Sequence, residues 1–281
     1  MHNGWSTRLR IARASLLLAA YLPGLATAQD LQGWGVDSSV SALQLVRVEQ
    51  MGSTANGPLM VLSLKNISQE PISALVVITP DGGNHLTDFF AREPLAPGAT
   101  YSFPYGVRDS QTSERILGIS AVVFVDGTSQ GDRSQIEFIK AYRLGVTMET
   151  ARINRVLESF GTEDVLKGTS VASVIEAVGG PPRSAAEAVE SLRQIAGNQA
   201  AALDIAASDR KTRFPLFQGV VVTCRNARRD LAEIGEQRKS SAPESAQVVA
   251  SQAGAQKSLP VYATRIRTLI AKQKAELEAM R

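Results

Sequence analysis

Cysteine and histidine are almost missing from this sequence. Cys224 is the single cysteine, so no internal disulfide can form and a core must hold the fold. The two histidines are His2 and His85. A zinc site wants several nitrogen or sulfur ligands, and one cysteine with one or two histidines does not supply them. Any Ser-His-Asp or Cys-His arrangement would have to use His85, in the loop-like stretch Gly82-Gly-Asn-His-Leu-Thr-Asp88, where a surface histidine is the plainer expectation. A glycine-rich phosphate loop ahead of a helix is also lacking. Gly33-Trp34-Gly35 has no strand-like run before it and is no dinucleotide fingerprint. No run beyond the N-terminal segment is long and apolar enough to span a membrane.

That N-terminal segment reads as a secretory signal. Arg8, Arg10 and Arg13 precede the apolar stretch Ala14 to Leu22, which Pro23 and Gly24 break, and Ala26-Thr27-Ala28 offers small residues where a signal peptidase inspects. A spanning helix needs about 20 apolar residues, more than this run holds. Cleavage is expected after Ala28, leaving a periplasmic or extracellular chain. The full chain carries 30 basic and 27 acidic residues; subtracting the three arginines leaves 27 against 27. The basic isoelectric point is therefore no nucleic-acid footprint. Charge is mildly segregated: 29–147 holds 8 basic and 12 acidic residues, and 148–281 holds 19 and 15.

The period of the hydrophobic pattern divides the remainder. Leu43 to Glu49, Leu59 to Asn66, Ile72 to Thr79, Tyr101 to Tyr105 and Ile116 to Val125 are β-branched or aromatic runs bounded by Gly, Pro, Asn and Asp. Short strands at that spacing predict an antiparallel sandwich over 29–131. Beyond it, apolar residues recur three and four apart: Ile153, Val156, Leu157, Phe160; then Val171, Val174, Ile175, Val178. Ser184 and Glu187 have capping-box spacing ahead of one helix through Ala188, Leu192, Ile195, Gln199, Leu203 and Ala206. Val220, Cys224, Ala227, Leu231 and Ile234 mark another, and Tyr262, Ile266, Leu269, Gln273, Leu277 and Met280 a last one with Pro260 in its first turn. The expectation is α+β as two domains, the sandwich followed by a helical bundle or long helical hairpin over 132–281. The polar stretch 240–256 fits either a weakly anchored helix or a linker. No internal repeat is present.

Val61-Leu-Ser-Leu-Lys-Asn-Ile-Ser-Gln-Glu-Pro-Ile72 and Pro94-Leu-Ala-Pro-Gly-Ala-Thr-Tyr-Ser-Phe103 resemble steps of small exported immunoglobulin-like and FxLYD-type sandwiches. The likeness covers Leu43 to Val125, without the Phe-x-Leu-Tyr-Asp signature. It implies a fold and an extracytoplasmic setting, and no activity.

Several residues call for a chemical reading. Asp126 and Asp132 flank the glycine-rich loop after Val125, and with Thr128 would offer oxygens to calcium or magnesium. The simpler reading makes Asp126-Gly127 a strand-ending turn and Asp132 the N-cap of a helix carrying Ile136, Ile139, Arg143, Val146 and Ile153. A strand across Ile136, Phe138 and Tyr142 is the competing pattern. A helix from Arg133 to Phe160 would have its weak point, and a hinge, at Gly145. Asp81, Asp88, Asp126 and Asp132 are the paired-carboxylate route to a hydrolase. Arg225, Arg228 and Arg229, with Arg210, Lys211 and Arg213 upstream, are either an anion-binding surface or a solvated helix face. Asn66-Ile67-Ser68 matches a glycosylation acceptor. Cys224 reads as a buried apolar residue, with an intermolecular disulfide as the alternative. The residues thus assign no catalytic, metal-binding or cofactor-binding group and no cofactor. They point to a non-catalytic exported protein working through a protein partner or self-association. Nucleic acid is not expected as a partner, and membrane contact is at most peripheral. The alternatives are a carboxylate hydrolase and an envelope binder of anionic ligands.

Overall fold

A computed structural model describes residues 34–54, 57–90, 92–107, 115–240 and 258–280. The signal reading and nearly all of the polar stretch after Ser240 lie outside them. The fold is α+β. Its strands are β1 (Trp34–Ser38), β2 (Leu43–Thr54), β3 (Gly57–Asn66), β4 (Ile72–Ile78), β5 (Asn84–Asp88), β6 (Thr100–Gly106), β7 (Arg115–Phe124) and β8 (Ser129–Gly131). One sheet runs β1-β7-β4-β5 with β8 also on β7, and the other runs β2-β3-β6. All five expected runs are strands. Three more were not read from the sequence: β5 and β8, both antiparallel to their neighbours, and β1, which pairs parallel with β7 where an antiparallel sandwich was expected. His85 therefore lies on a strand and not in a loop.

β4 is buried from Ile72 to Val77 and β7 from Ile119 to Phe124, which fits their largely apolar sequences. Leu75, Val77, Leu117, Ile119 and Val122 share one core with Leu62, Leu64 and Phe103 of the second sheet. Ala74, Val76, Ala121 and Val123 point the other way, onto Ile139 and Met280 of the helices. Two register shifts in the β4–β7 pairing leave Ser73 and Ser120 without partners. Each inserts an extra residue, and a bulge of this kind re-aims the local backbone.

Seven helices follow among the described residues: α1 (Arg133–Ser159), α2 (Glu163–Gly168), α3 (Val171–Val178), α4 (Ala185–Arg193), α5 (Ala200–Ser208), α6 (Arg210–Ser240) and α7 (Leu259–Ala279). The chain passes from the last strand to the first helix at Asp132, whose carboxylate accepts from the Ser134 and Gln135 amides. The stretch from 133 is thus helix, and the alternating pattern over Ile136, Phe138 and Tyr142 is incidental. The helix expected through Ala188 and Ala206 is instead two, separated by a 3-10 turn at Gly197–Gln199, where Gly197 takes φ 50°. Ser184 caps α4 through the Glu187 amide, and Glu187 reaches back to the Arg183 amide.

Gly145 lies inside an unbroken α1, at a close contact between helices. A Cβ there would lie 2.2 Å from the Leu216 carbonyl oxygen, and one at Gly219 would lie 2.3 Å from the Tyr142 carbonyl oxygen. The two glycines let the backbones of α1 and α6 touch. Around that contact Leu144, Met148, Leu192, Leu203, Leu216 and Val220 form one cluster. Ile153, Val174, Cys224, Leu231, Tyr262 and Ile266 form another.

Candidate functional site

Most residues that the sequence offers as chemical are engaged in local structure. Asp126 Oδ1 accepts from the Thr128 hydroxyl at 2.7 Å and its amide at 2.9 Å, closing the turn in which Gly127 takes φ 88°. Asp132 Oδ1 accepts from the Ser134 hydroxyl and amide, both at 2.6 Å. Those side-chain and backbone bonds hold both carboxyls below their usual range. Asp81 accepts from the Thr79 hydroxyl at 2.6 Å. Among the described residues no three His, Cys, Asp or Glu side chains gather as a metal would require. Asn66 is fully buried; its amide nitrogen donates to the Glu70 and Leu95 carbonyls at 2.9 Å, so the acceptor motif serves a turn.

The His85 ring stacks on Phe103 at 4.5 Å, and burial lowers its pKa, favouring neutral imidazole. Cys224 is fully buried, and burial pushes its thiol up to about 11. It is neither a thiolate nor exposed for pairing with another chain. Arg228 donates to the Gly179 and Ile175 carbonyls at 2.6 and 3.1 Å, closing the C-terminal end of α3. Arg225 and Arg229 stay exposed.

Asp88 is the exception, because it meets a residue that the sequence placed on an apolar stripe without explaining it. Arg143 of α1 is 1 % exposed at its side chain. Its Nη2 donates to Asp88 Oδ1 at 2.8 Å and to the Ser73 carbonyl at 2.7 Å. That carbonyl also accepts from the Phe89 amide at 2.9 Å. The guanidinium lies 4.7 Å from the centre of the Phe90 ring, and its Nη1 donates to Met280 Sδ at 3.3 Å. Glu276 of α7 stands 3.6 Å away, its pKa raised by burial against the opposing pull of Arg143. One arginine thus ties β4, β5, α1 and α7 together. An arginine at an apolar helical position was the sequence signal. Its acidic partners were invisible because they lie 55 residues before it and 133 after it (143 − 88 and 276 − 143).

Two concavities adjoin this junction. A cavity of about 270 Å³ lies among α1, α6 and α7, reached by Asp88, Phe90, Tyr262 and Gln273. The Gln273 side chain is fully buried and neither of its amide atoms has a hydrogen-bond partner among the described residues. Tyr142 borders it, its phenol pushed up to about 12 by burial and then by Asp88.

The second is a groove of about 800 Å³ between β5 and the helices, lined by Leu86, Phe138, Tyr142, Phe214, Phe217 and Val222 among others. Phe214 is 58 % exposed and Val222 40 %, so apolar surface stands open within the groove. Among the described residues β5 ends its sheet, with β4 on one side only. The Thr79 amide donates to the Gly83 carbonyl and the Phe89 amide to the Ser73 carbonyl. Antiparallel pairing alternates, so odd-numbered β5 residues bond to β4. The backbone groups of Asn84, Leu86 and Asp88 therefore face the open edge beside the groove.

Comparison with protein-family models, curated proteins and solved structures found no match to this chain. Among the described residues no helix is long and apolar enough to cross a membrane.

Proposed function

We propose that this is a non-catalytic exported protein that acts through protein contacts at the open edge of β5 and the groove beside it. The observation that carries the reading is that edge: backbone groups facing outward next to exposed Phe214 and Val222. Unprotected edges of this kind pair with other chains unless something blocks them. The engagement of Asp81, Asp126 and Asp132 in turns and a cap, and of Asp88 with Arg143, weighs against the hydrolase reading. Arg228, occupied by carbonyls of α3, weighs against a broad anion-binding face.

The proposal includes the finer architecture: an immunoglobulin-like sandwich over 29–131 bearing a helical domain over 132–281, exported after cleavage at Ala28. Strand order supports the sandwich. The chain crosses between sheets after β1, β3, β5 and β6, as Greek-key connections do, and β3 and β6 pair in one sheet as β4 and β7 do in the other.

The test uses the chain from Gln29 onward with a photocrosslinker at Phe214 or, as control, at Lys167 on α2. Crosslinking in the native envelope, beside light scattering of the purified protein, is expected to yield an adduct from Phe214 alone. A monomer with equal or no adducts from both positions overturns the reading.

A further inference from the structure

The groove has one charged lining residue, Arg225, and that charge has no ion-pair partner among the described residues. Phe214 and Arg225 are eleven residues apart on α6, about three turns or 17 Å. Aromatic surface and cation thus lie along one face of α6, and that face lines the same groove as Asn84, His85 and Leu86 of the edge strand. We propose that the groove takes an extended segment of a separate protein that ends in a free carboxylate. The segment adds to β5 as a further strand, and Arg225 holds the carboxylate. This rests on the protein-contact reading above and names the chemistry of the partner.

Each part of the surface specifies one part of that partner. The outward amides and carbonyls of Asn84, Leu86 and Asp88 match a strand backbone and no helix. In an added strand every second side chain faces the helices, as Leu86 does, packed against the cluster that holds Ile139 and Met280. Those positions want apolar side chains, to lie against Phe138, Phe214 and Phe217. An unpaired guanidinium favours a carboxylate by charge-assisted hydrogen bonds. The 17 residues that join Ser240 to Ser258 are too few to reach the Phe214 end of the groove. Phe214 lies 26 residues before Ser240 on the same helix, about 39 Å away. The segment between Ser240 and Ser258 has 17 residues and must also return to α7, so half of it spans about 30 Å.

The experiment is selection from a random octapeptide library displayed with free C termini, followed by fluorescence anisotropy on the enriched peptides. Selected peptides are expected to alternate apolar and polar residues. Amidating the C terminus should weaken binding about tenfold, roughly 1.4 kcal/mol. Arg225→Gln should weaken the free acid to the level of the amide and leave the amide unchanged. Methylating alternate backbone nitrogens, or Phe214→Ser, should abolish binding. Phe214 is exposed, so that variant keeps the core. No enrichment, equal affinity of acid and amide, or binding through the groove by a second copy of this chain overturns the inference. A crosslinked partner whose capture ignores Arg225→Gln and Phe214→Ser overturns it while leaving the broader contact reading in place.

Discussion

At the residue scale, Arg143 is the side chain with most at stake. Its burial is tolerable only because Asp88, the Ser73 carbonyl and the Phe90 ring surround it. Removing one member of a buried pair strands the other charge and costs about 3–5 kcal/mol. Arg143→Ala should therefore shift the denaturant midpoint well below that of the parent protein, and urea unfolding followed by circular dichroism measures it. Glu276 makes the opposite case. Burial raises its pKa, so the folded state prefers the protonated acid. Its stabilising contribution is complete below the ordinary glutamate value near ~4.3 and is lost as pH rises through the raised folded value. Glu276→Gln should flatten that part of the stability–pH curve and leave the variant more stable than the parent at pH 8. Arg143 keeps Asp88 in that variant. A steeper curve, or a less stable variant at pH 8, contradicts this account.

At the scale of elements, hydrophobic period told much and chain reversals told little. The long helix from Arg133 was legible because Asp132 caps it and its apolar residues recur at helical intervals. β5 was not legible: Asn-His-Leu-Thr-Asp carries turn-forming residues, and only pairing with Ile78 to Ala74 makes it a strand. The break at Gly197 escaped because alanine-rich pattern continues on either side of it. Gly145 was visible as a weak helical residue, but its purpose was not, since the Leu216 carbonyl it faces belongs to another helix. The groove followed the same rule: Phe138, Phe214 and Leu86 are far apart in sequence and no spacing connects them. The α1–α6 contact yields its own prediction. Gly219→Ala places a methyl 2.3 Å from the Tyr142 carbonyl oxygen and forces the helices apart. Overpacking of this kind costs about 1–3 kcal/mol. Thermal unfolding should show a lower midpoint, although alanine alone favours helix over glycine.

At the scale of the whole molecule, the proposed export and the architecture bear on one another. Without a disulfide, the protein relies on its packed cores and on the Arg143 junction between sheet and helices. Terminal sequencing of protein recovered from outside the cytoplasm should begin at Gln29. Retention of Met1 there, or recovery only from the cytoplasm, contradicts the signal reading. The glycine pair has a consequence for ancestry as well. A side chain of any size at Gly145 or Gly219 collides with main-chain oxygen, which no substitution elsewhere can trim away. Descendants of a common forebear are thus expected to keep both glycines after most other positions have drifted, which makes the pair a marker by which distant kin can be recognised.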